Sequence, residues 1–345
     1  MRRYLLFATE LYALPILRPL AAAIRAGGGE ATWFLPDAVA RHLRADEHRL
    51  TSAKAVAAWN PRAVLAASNW VPHFFPGAKV QLFHGFNVEK RAAERGHFRI
   101  RGLFDLYCTQ GPATTLPFRE LAREHGHFAV VETGWPKLDP LFAPDDGSAA
   151  ALRPRDDRPV VLYASTFTES LSSAPLLREE IARQIARGDR HWLLTLHPKS
   201  QPEWVAAYRA LVGPNAQFVE ADVLIPALRA ADVLVCDTSS VISEFVVQRK
   251  PVVTLRNRAP KPHMIDIAEP ALLDEALQQA FAPTPTLTAA LAAYADAIHP
   301  WHDGCSSGRV LAAVEDLLAG RLGPLTSKPA NLWRKLQIRS QLRHF

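Results

Sequence analysis

Apolar runs of strand length alternate with stretches of helical spacing almost from the first residue. Residues 4–8 form an unbroken apolar run, and 11–26 carry helix-period apolar positions closed by Gly27-Gly28-Gly29. Further short runs at 31–35, 63–67, 79–83, 106–109 and 129–132 predict six strands in this half. Strands so short and apolar, separated by helices, predict a parallel sheet covered on both faces. Around 142–159 the composition shifts to Ala-Pro-Asp-Asp-Gly-Ser and then Arg-Pro-Arg-Asp-Asp-Arg-Pro, a linker signature. The alternation then restarts. Strands are expected at 160–164, 192–196, 217–220, 232–236 and 251–255, and helices at 175–187, 224–231, 241–248 and 309–318. No repeat of solenoid period occurs.

The pattern predicts an α/β protein of two Rossmann-like domains facing across a cleft. The expected division is a first domain over 1–145, a linker over 146–159, a nucleotide-donor domain over 160–320 and a basic amphipathic tail over 321–345. A length of 345 residues suits two domains. Hydrophobic residues at 48% and charged residues at 21% provide ample core and exclude a disordered chain.

Net charge is +6, with a pI near 9.4. This favours an anionic partner, but neither a zinc finger nor an aromatic-basic RNA-binding pattern is present, so nucleic acid is not expected. The three cysteines, Cys108, Cys236 and Cys305, are far apart and form no CxxC pair, which argues against a zinc site or a disulfide framework. Glu10, Pro15 and Arg18 interrupt the first apolar stretch, so it reads as a strand and helix rather than a signal peptide. No apolar run reaches membrane-spanning length. The expected location is the cytoplasm, or the periphery of the inner face of the cell membrane.

In doubly wound folds ligands bind beyond the carboxyl ends of strands, and three groups of polar residues lie there. His84 follows the run 79–83, with Gly85 permitting a sharp turn and Lys90-Arg91 adding positive charge. Such a histidine can accept a proton from an attacking hydroxyl, or merely cap its strand. His197 ends the run 192–196 and is followed by Pro198-Lys199. After 232–236, Asp237-Thr238-Ser239-Ser240 opens a helix. Backbone N–H groups and three hydroxyls there suit a diphosphate, although a helix cap alone would use one hydroxyl. P-loop, GxSxG and HExxH motifs are absent.

Taken in order, these segments resemble the CDP-glycerol glycerophosphotransferase family of teichoic-acid and capsule biosynthesis. His84-Gly85 with Lys90 is similar to its HGTPLK motif, and Gly134-Trp135-Pro136-Lys137-Leu138-Asp139 to its Gly-Tyr-Pro-Arg-x-Asp motif. Tyr163-Ala164-Ser165-Thr166-Phe167 resembles YAPTWR, and His197-Pro198 the second histidine. Cys236 to Val241 with Glu244 and Lys250-Pro251 resembles TDYSSVxFD and KP. Asp303-Gly304 through Arg309 resembles DGxAxxR. The resemblance runs from about His84 to Arg309; the first 80 or so residues match only as a fold. Departures are the residues after His84-Gly85, Phe167 for tryptophan and Thr238 for tyrosine.

The resemblance implies a GT-B-like fold and a transferase that moves a polyol phosphate from a CDP-linked donor to a hydroxyl, releasing CMP. It implies His84 as base and His197 as a phosphate contact. Donor binding would fall to Lys90, Thr166, Lys199, Asp237, Thr238, Ser239, Ser240, Glu244 and Arg309. No cofactor or metal is expected, given the absence of a clear carboxylate pair. A glycosyltransferase using a nucleotide sugar, or a non-catalytic nucleotide- or polymer-binding protein, would use the same features. The implied partners are the CDP-linked donor and a glycan or lipid-linked acceptor. Beyond Asp316 no acidic residue occurs, while Lys328, Arg334, Lys335, Arg339 and Arg343 interleave with Leu332, Trp333, Leu336, Leu342 and Phe345. This is the pattern of an interfacial helix on an anionic membrane, or of a frayed basic tail.

Overall fold

The computed structural model describes residues 2–86, 96–144, 146–220 and 223–342. Two compact units divide the chain: 1–142 together with 298–345, and 143–297. The first unit is therefore discontinuous in sequence. Residues 298–320, expected in the donor domain, cluster with the first unit because the helix Ser306–Leu318 packs against the helix Leu14–Ala26.

The first unit holds a six-stranded parallel sheet. Its strands are β1 (Arg3–Phe7), β2 (Glu30–Phe34), β3 (Ala63–Ala66), β4 (Ala78–Gln81), β5 (Leu106–Thr109) and β6 (Ala129–Glu132), in the order β2-β1-β3-β4-β5-β6. Four residues of β3 and four of β5 are all buried, as expected where both faces are covered. Phe83, Phe104, Tyr107, Phe118 and Phe128 make the aromatic centre of one face.

The second unit repeats the plan with β7 (Val160–Ser165), β8 (His191–Leu196), β9 (Ala216–Phe218), β10 (Val233–Cys236), β11 (Val252–Leu255) and β12 (Ile265–Ile267). Their order is β12-β11-β10-β7-β8-β9, again all parallel. β12 was not foreseen: it is three residues long with only Ile267 buried, too little for an apolar run to register. Each sheet reverses its strand order once, between β1 and β3 in the first unit and between β7 and β10 in the second. Those reversals leave a gap between diverging loops, the usual ligand position in such sheets.

The described part of the basic tail is tied to the first unit. The Lys328 ammonium lies 2.7 Å from the Asp105 carboxylate and also donates to the Leu103 carbonyl. Asn331 and Arg334 donate to the Arg101 carbonyl. The helix Leu332–Gln341 buries Ile338 in the first unit's core while leaving Leu332 72% and Trp333 74% exposed, with Leu336 beside them. Arg343 and Phe345 lie outside the described residues. No helix among the described residues is long and apolar enough to cross a membrane.

Candidate active site

Phe7 of β1, Ala66 of β3 and Gln81 of β4 stand level in register, so the loops that follow emerge side by side. His84 leaves the end of β4 and is exposed. Phe83 just before it holds φ at +56°, a left-handed conformation uncommon for a bulky residue. Burial of Phe83 against Phe118 (5.0 Å), Tyr107 and His97 (4.7 Å, stacked) holds that conformation in place. Strain of this kind costs on the order of 1–3 kcal/mol and collects at functional positions. Here it turns the chain so that His84 projects beyond the sheet.

The His84 Nδ1 lies 3.3 Å from the Ala67 carbonyl at the end of β3. A carbonyl can only accept, so Nδ1 carries the proton and Nε2 keeps a lone pair. Surrounding protein lowers the His84 pKa by desolvation, the Ala67 carbonyl partly opposes this, and the Arg101 charge lowers it further. His97 is pushed down to about 4, first by burial and then by the His84 charge.

Two neighbours of His84 carry no motif and escaped the sequence reading. Tyr12, in the loop after β1, sets its ring 5.1 Å from the imidazole. Gln110, fully buried at the end of β5, donates from Nε2 to the Gly85 carbonyl at 3.2 Å, and its Oε1 has no partner. Their signal was position alone: Gln110 follows β5, the neighbour of β4, and Tyr12 follows β1, on the other side of β3. Lys90 lies outside the described residues.

In the second unit the switch point joins Thr166, after β7, to Asp237, after β10. The Asp237 carboxylate accepts the Thr166 N–H (3.0 and 3.2 Å) and both the N–H and hydroxyl of Ser173 (2.9 and 3.0 Å). Burial raises its pKa, and the bonds from Ser173 and Thr166 offset part of that. Asp237 thus spends its oxygens on shaping the loop. Thr238 Oγ1 accepts the Arg258 N–H at 3.0 Å. Ser239 reaches the Val241 N–H at 3.4 Å, and the Ser240 hydroxyl makes no capping bond at the start of the helix Val241–Val246. Glu244 is buried on that helix.

His197 follows β8 and is exposed. Its Nδ1 accepts the Lys199 backbone N–H at 3.0 Å. An amide N–H can only donate, so the neutral imidazole carries its proton on Nε2. Burial, then the Lys199 charge, lowers its pKa. Phe167 packs on the ring at 4.5 Å, with the Lys199 ammonium 5.8 Å from the Phe167 centroid.

Arg309 belongs to the first unit, where its guanidinium grips both Asp303 oxygens at 2.8 and 3.0 Å. It also donates to the Thr133 carbonyl and lies 4.0 Å from the Trp301 ring centroid. The 134–139 segment meets this group. A Cβ on Gly134 would fall 2.5 Å from the Ser306 hydroxyl, the Trp135 N–H donates to buried His299, and Asp139 accepts the Ser306 and Ser307 N–H groups. Two motif segments distant in sequence form one clasp.

Two parallel-sheet units with polar residues at each switch point place the chain among GT-B-like α/β proteins. Residues 104–257 match the model of the CDP-glycerol:poly(glycerophosphate) glycerophosphotransferase family. Over that stretch, less than half of its length, the chain is similar to this family. No curated protein sequence matches it. Among solved structures it is similar to the wall teichoic acid polymerase TagF (TM-score 0.67, 15% identity, covering 93% of this chain and 90% of the other). It also resembles a putative UDP-N-acetylglucosamine 2-epimerase from Listeria monocytogenes (TM-score 0.63, 16% identity, 92% and 96% covered). The S. aureus MnaA–UDP structure is a further likeness (TM-score 0.61, 14% identity, 96% and 100% covered).

Proposed function

We propose that the chain moves a glycerol-phosphate, or related polyol-phosphate, group from a CDP-linked donor to a hydroxyl of a cell-surface glycan or lipid-linked acceptor. The observation that carries this reading is the His84 tautomer, an exposed imidazole with its lone pair on Nε2. The family match over 104–257 and a TagF structure soaked with CDPG support the choice of donor.

The acceptor O–H gives its proton to His84 Nε2 as the oxygen bonds to the polyol-bearing phosphorus. The bond from that phosphorus to the bridging oxygen breaks, and CMP leaves with the electron pair. Transfer of this kind depends on positioning and on neutralising charge more than on covalent participation by the protein. His197 Nε2–H and the Lys199 ammonium serve as donors to the phosphates, and the loop organised by Asp237 presents Thr166, Thr238, Ser239 and Ser240 to the nucleotide.

The tail gives this reading its location. Leu332, Trp333 and Leu336 form an exposed apolar patch among Arg334, Lys335 and Arg339, the composition of a helix resting on anionic lipid. The chain then works at the inner face of the membrane, where a lipid-linked acceptor resides.

The test is turnover with CDP-glycerol, CDP-ribitol, CMP-sugars and UDP-sugars, for the native chain and His84→Ala, with the transferred group identified. CMP release with polyol-phosphate transfer, lost in the variant, is the expected result. Sugar transfer from a nucleotide sugar would make the chain a glycosyltransferase, and no turnover with any donor would make it a binding protein.

A further inference from the structure

We infer that the loop after β1 is an acceptor subsite, in which Leu11 and Tyr12 seat the uncharged ring of a sugar whose hydroxyl reaches His84. The proposal deepens the reading of His84 as base. Leu11 and Tyr12 are adjacent large apolar residues left 46% and 42% exposed, although residues beside them are core. They sit in a short 3-10 turn, Leu11–Ala13, on one side of the β1/β3 switch point. Ala67, which orients His84, lies on the other side. The Tyr12 ring is tilted 37° to the imidazole at 5.1 Å, so it borders the space that a hydroxyl must enter to meet Nε2.

The chemistry of the loop selects among occupants. Tyrosine offers a broad apolar face with a polar tip and little conformational freedom to lose, which suits the C–H face of a pyranose. Glu10, exposed beside it, places a negative charge on this loop; that charge, after burial, raises the Tyr12 pKa. A chain of glycerol phosphates would be repelled there. Among the described residues, the positive charge acting on His84 is that of Arg101. A neutral sugar terminus fits the loop, and a polyanionic one does not.

The experiment is saturation-transfer NMR on the full chain with methyl pyranosides (gluco, galacto and their 2-acetamido forms) and with sn-glycerol 3-phosphate. At least one pyranoside should bind through its ring protons. Tyr12→Ala should weaken that binding about five- to tenfold, Leu11→Ser should weaken it less, and Tyr12→Phe should keep it within about twofold. Glycerol 3-phosphate should respond to none of them. No pyranoside binding, equal binding by Tyr12→Ala, or an equal loss for glycerol 3-phosphate would overturn the subsite. Saturation transfer from the native chain to CDP-glycerol, measured in parallel, separates the two readings. If the native chain does not bind CDP-glycerol but pyranoside binding depends on Tyr12, the donor assignment fails and the subsite stands. If CDP-glycerol binds and Tyr12→Ala changes no pyranoside binding, only the subsite fails.

Discussion

The Lys199 backbone N–H donates to Nδ1 of His197 at 3.0 Å, whereas Nδ1 of His84 faces the Ala67 carbonyl. One imidazole is thereby made a donor at Nε2 and the other an acceptor at the same atom. The two histidines, alike in sequence setting, are prepared for opposite tasks.

Replacement of His197 should follow this distinction. Glutamine supplies an N–H near the position of Nε2 and should retain part of the turnover, whereas alanine should lower kcat by about 10²–10³, the usual effect of losing one preorganised donor. Steady-state kinetics of the two variants decide it, and equal loss in both would argue against a donor role.

For His84 the pH dependence carries the sign. As the proposed base it must be neutral, and its pKa lies below the ordinary 6.5. Protonation at low pH should therefore abolish activity, and kcat/KM should rise to a plateau with its acid limb below pH 6.5. An acid limb centred above pH 7 would assign the titration to another group.

Asp237→Asn tests whether that carboxylate shapes the loop. Its two oxygens serve donors on Thr166 and Ser173, and an amide NH₂ must face one of them. The variant should lose about 1–3 kcal/mol of stability and raise the KM for donor. Because the folded-state pKa of Asp237 is raised, its ionisation costs stability, and protonation relieves that cost as pH falls from the folded pKa through the unfolded one. The native chain should therefore show a larger stability advantage over the variant at pH 4 than at pH 7. Denaturant melts at the two pH values measure the difference.

Arg309→Ala should act through the first unit's stability. Its partners are Asp303, Thr133 and Trp301, all in that unit. A fall in Tm of about 2–4 °C with donor KM unchanged is expected. A tenfold rise in KM at unchanged Tm would instead make the guanidinium a ligand contact.

The tail patch has its own assay. Replacing Leu332, Trp333 and Leu336 together by serine should abolish sedimentation with phosphatidylglycerol vesicles while leaving Tm unchanged, since these side chains are exposed and Ile338 keeps the helix docked. Undiminished sedimentation would remove the membrane from the proposal.

Most of the fold was legible because buried parallel strands are apolar on both faces. The runs at 106–109 and 129–132 coincide with β5 and β6, residue for residue. For Arg309 the sequence shows a cation near a motif but not the Asp303 carboxylate that pairs with it. Gln110 and Tyr12 were invisible because neither residue type marks chemistry by itself. Only the strand order, which sets β5 and β1 on either side of β3 and β4, brings them to His84.

The discontinuity of the first unit has a consequence for biosynthesis. Residues 1–142 leave the ribosome without the helix Ser306–Leu318, His299 or the Lys328 strap, and must wait for the rest of the chain before Asp139, Trp135 and Asp105 find those partners. The stretch 143–297 contains every strand of its own sheet. Vectorial synthesis would therefore complete the inner unit first and the outer one last, and a truncated transcript would leave a finished second unit attached to an unfinished first.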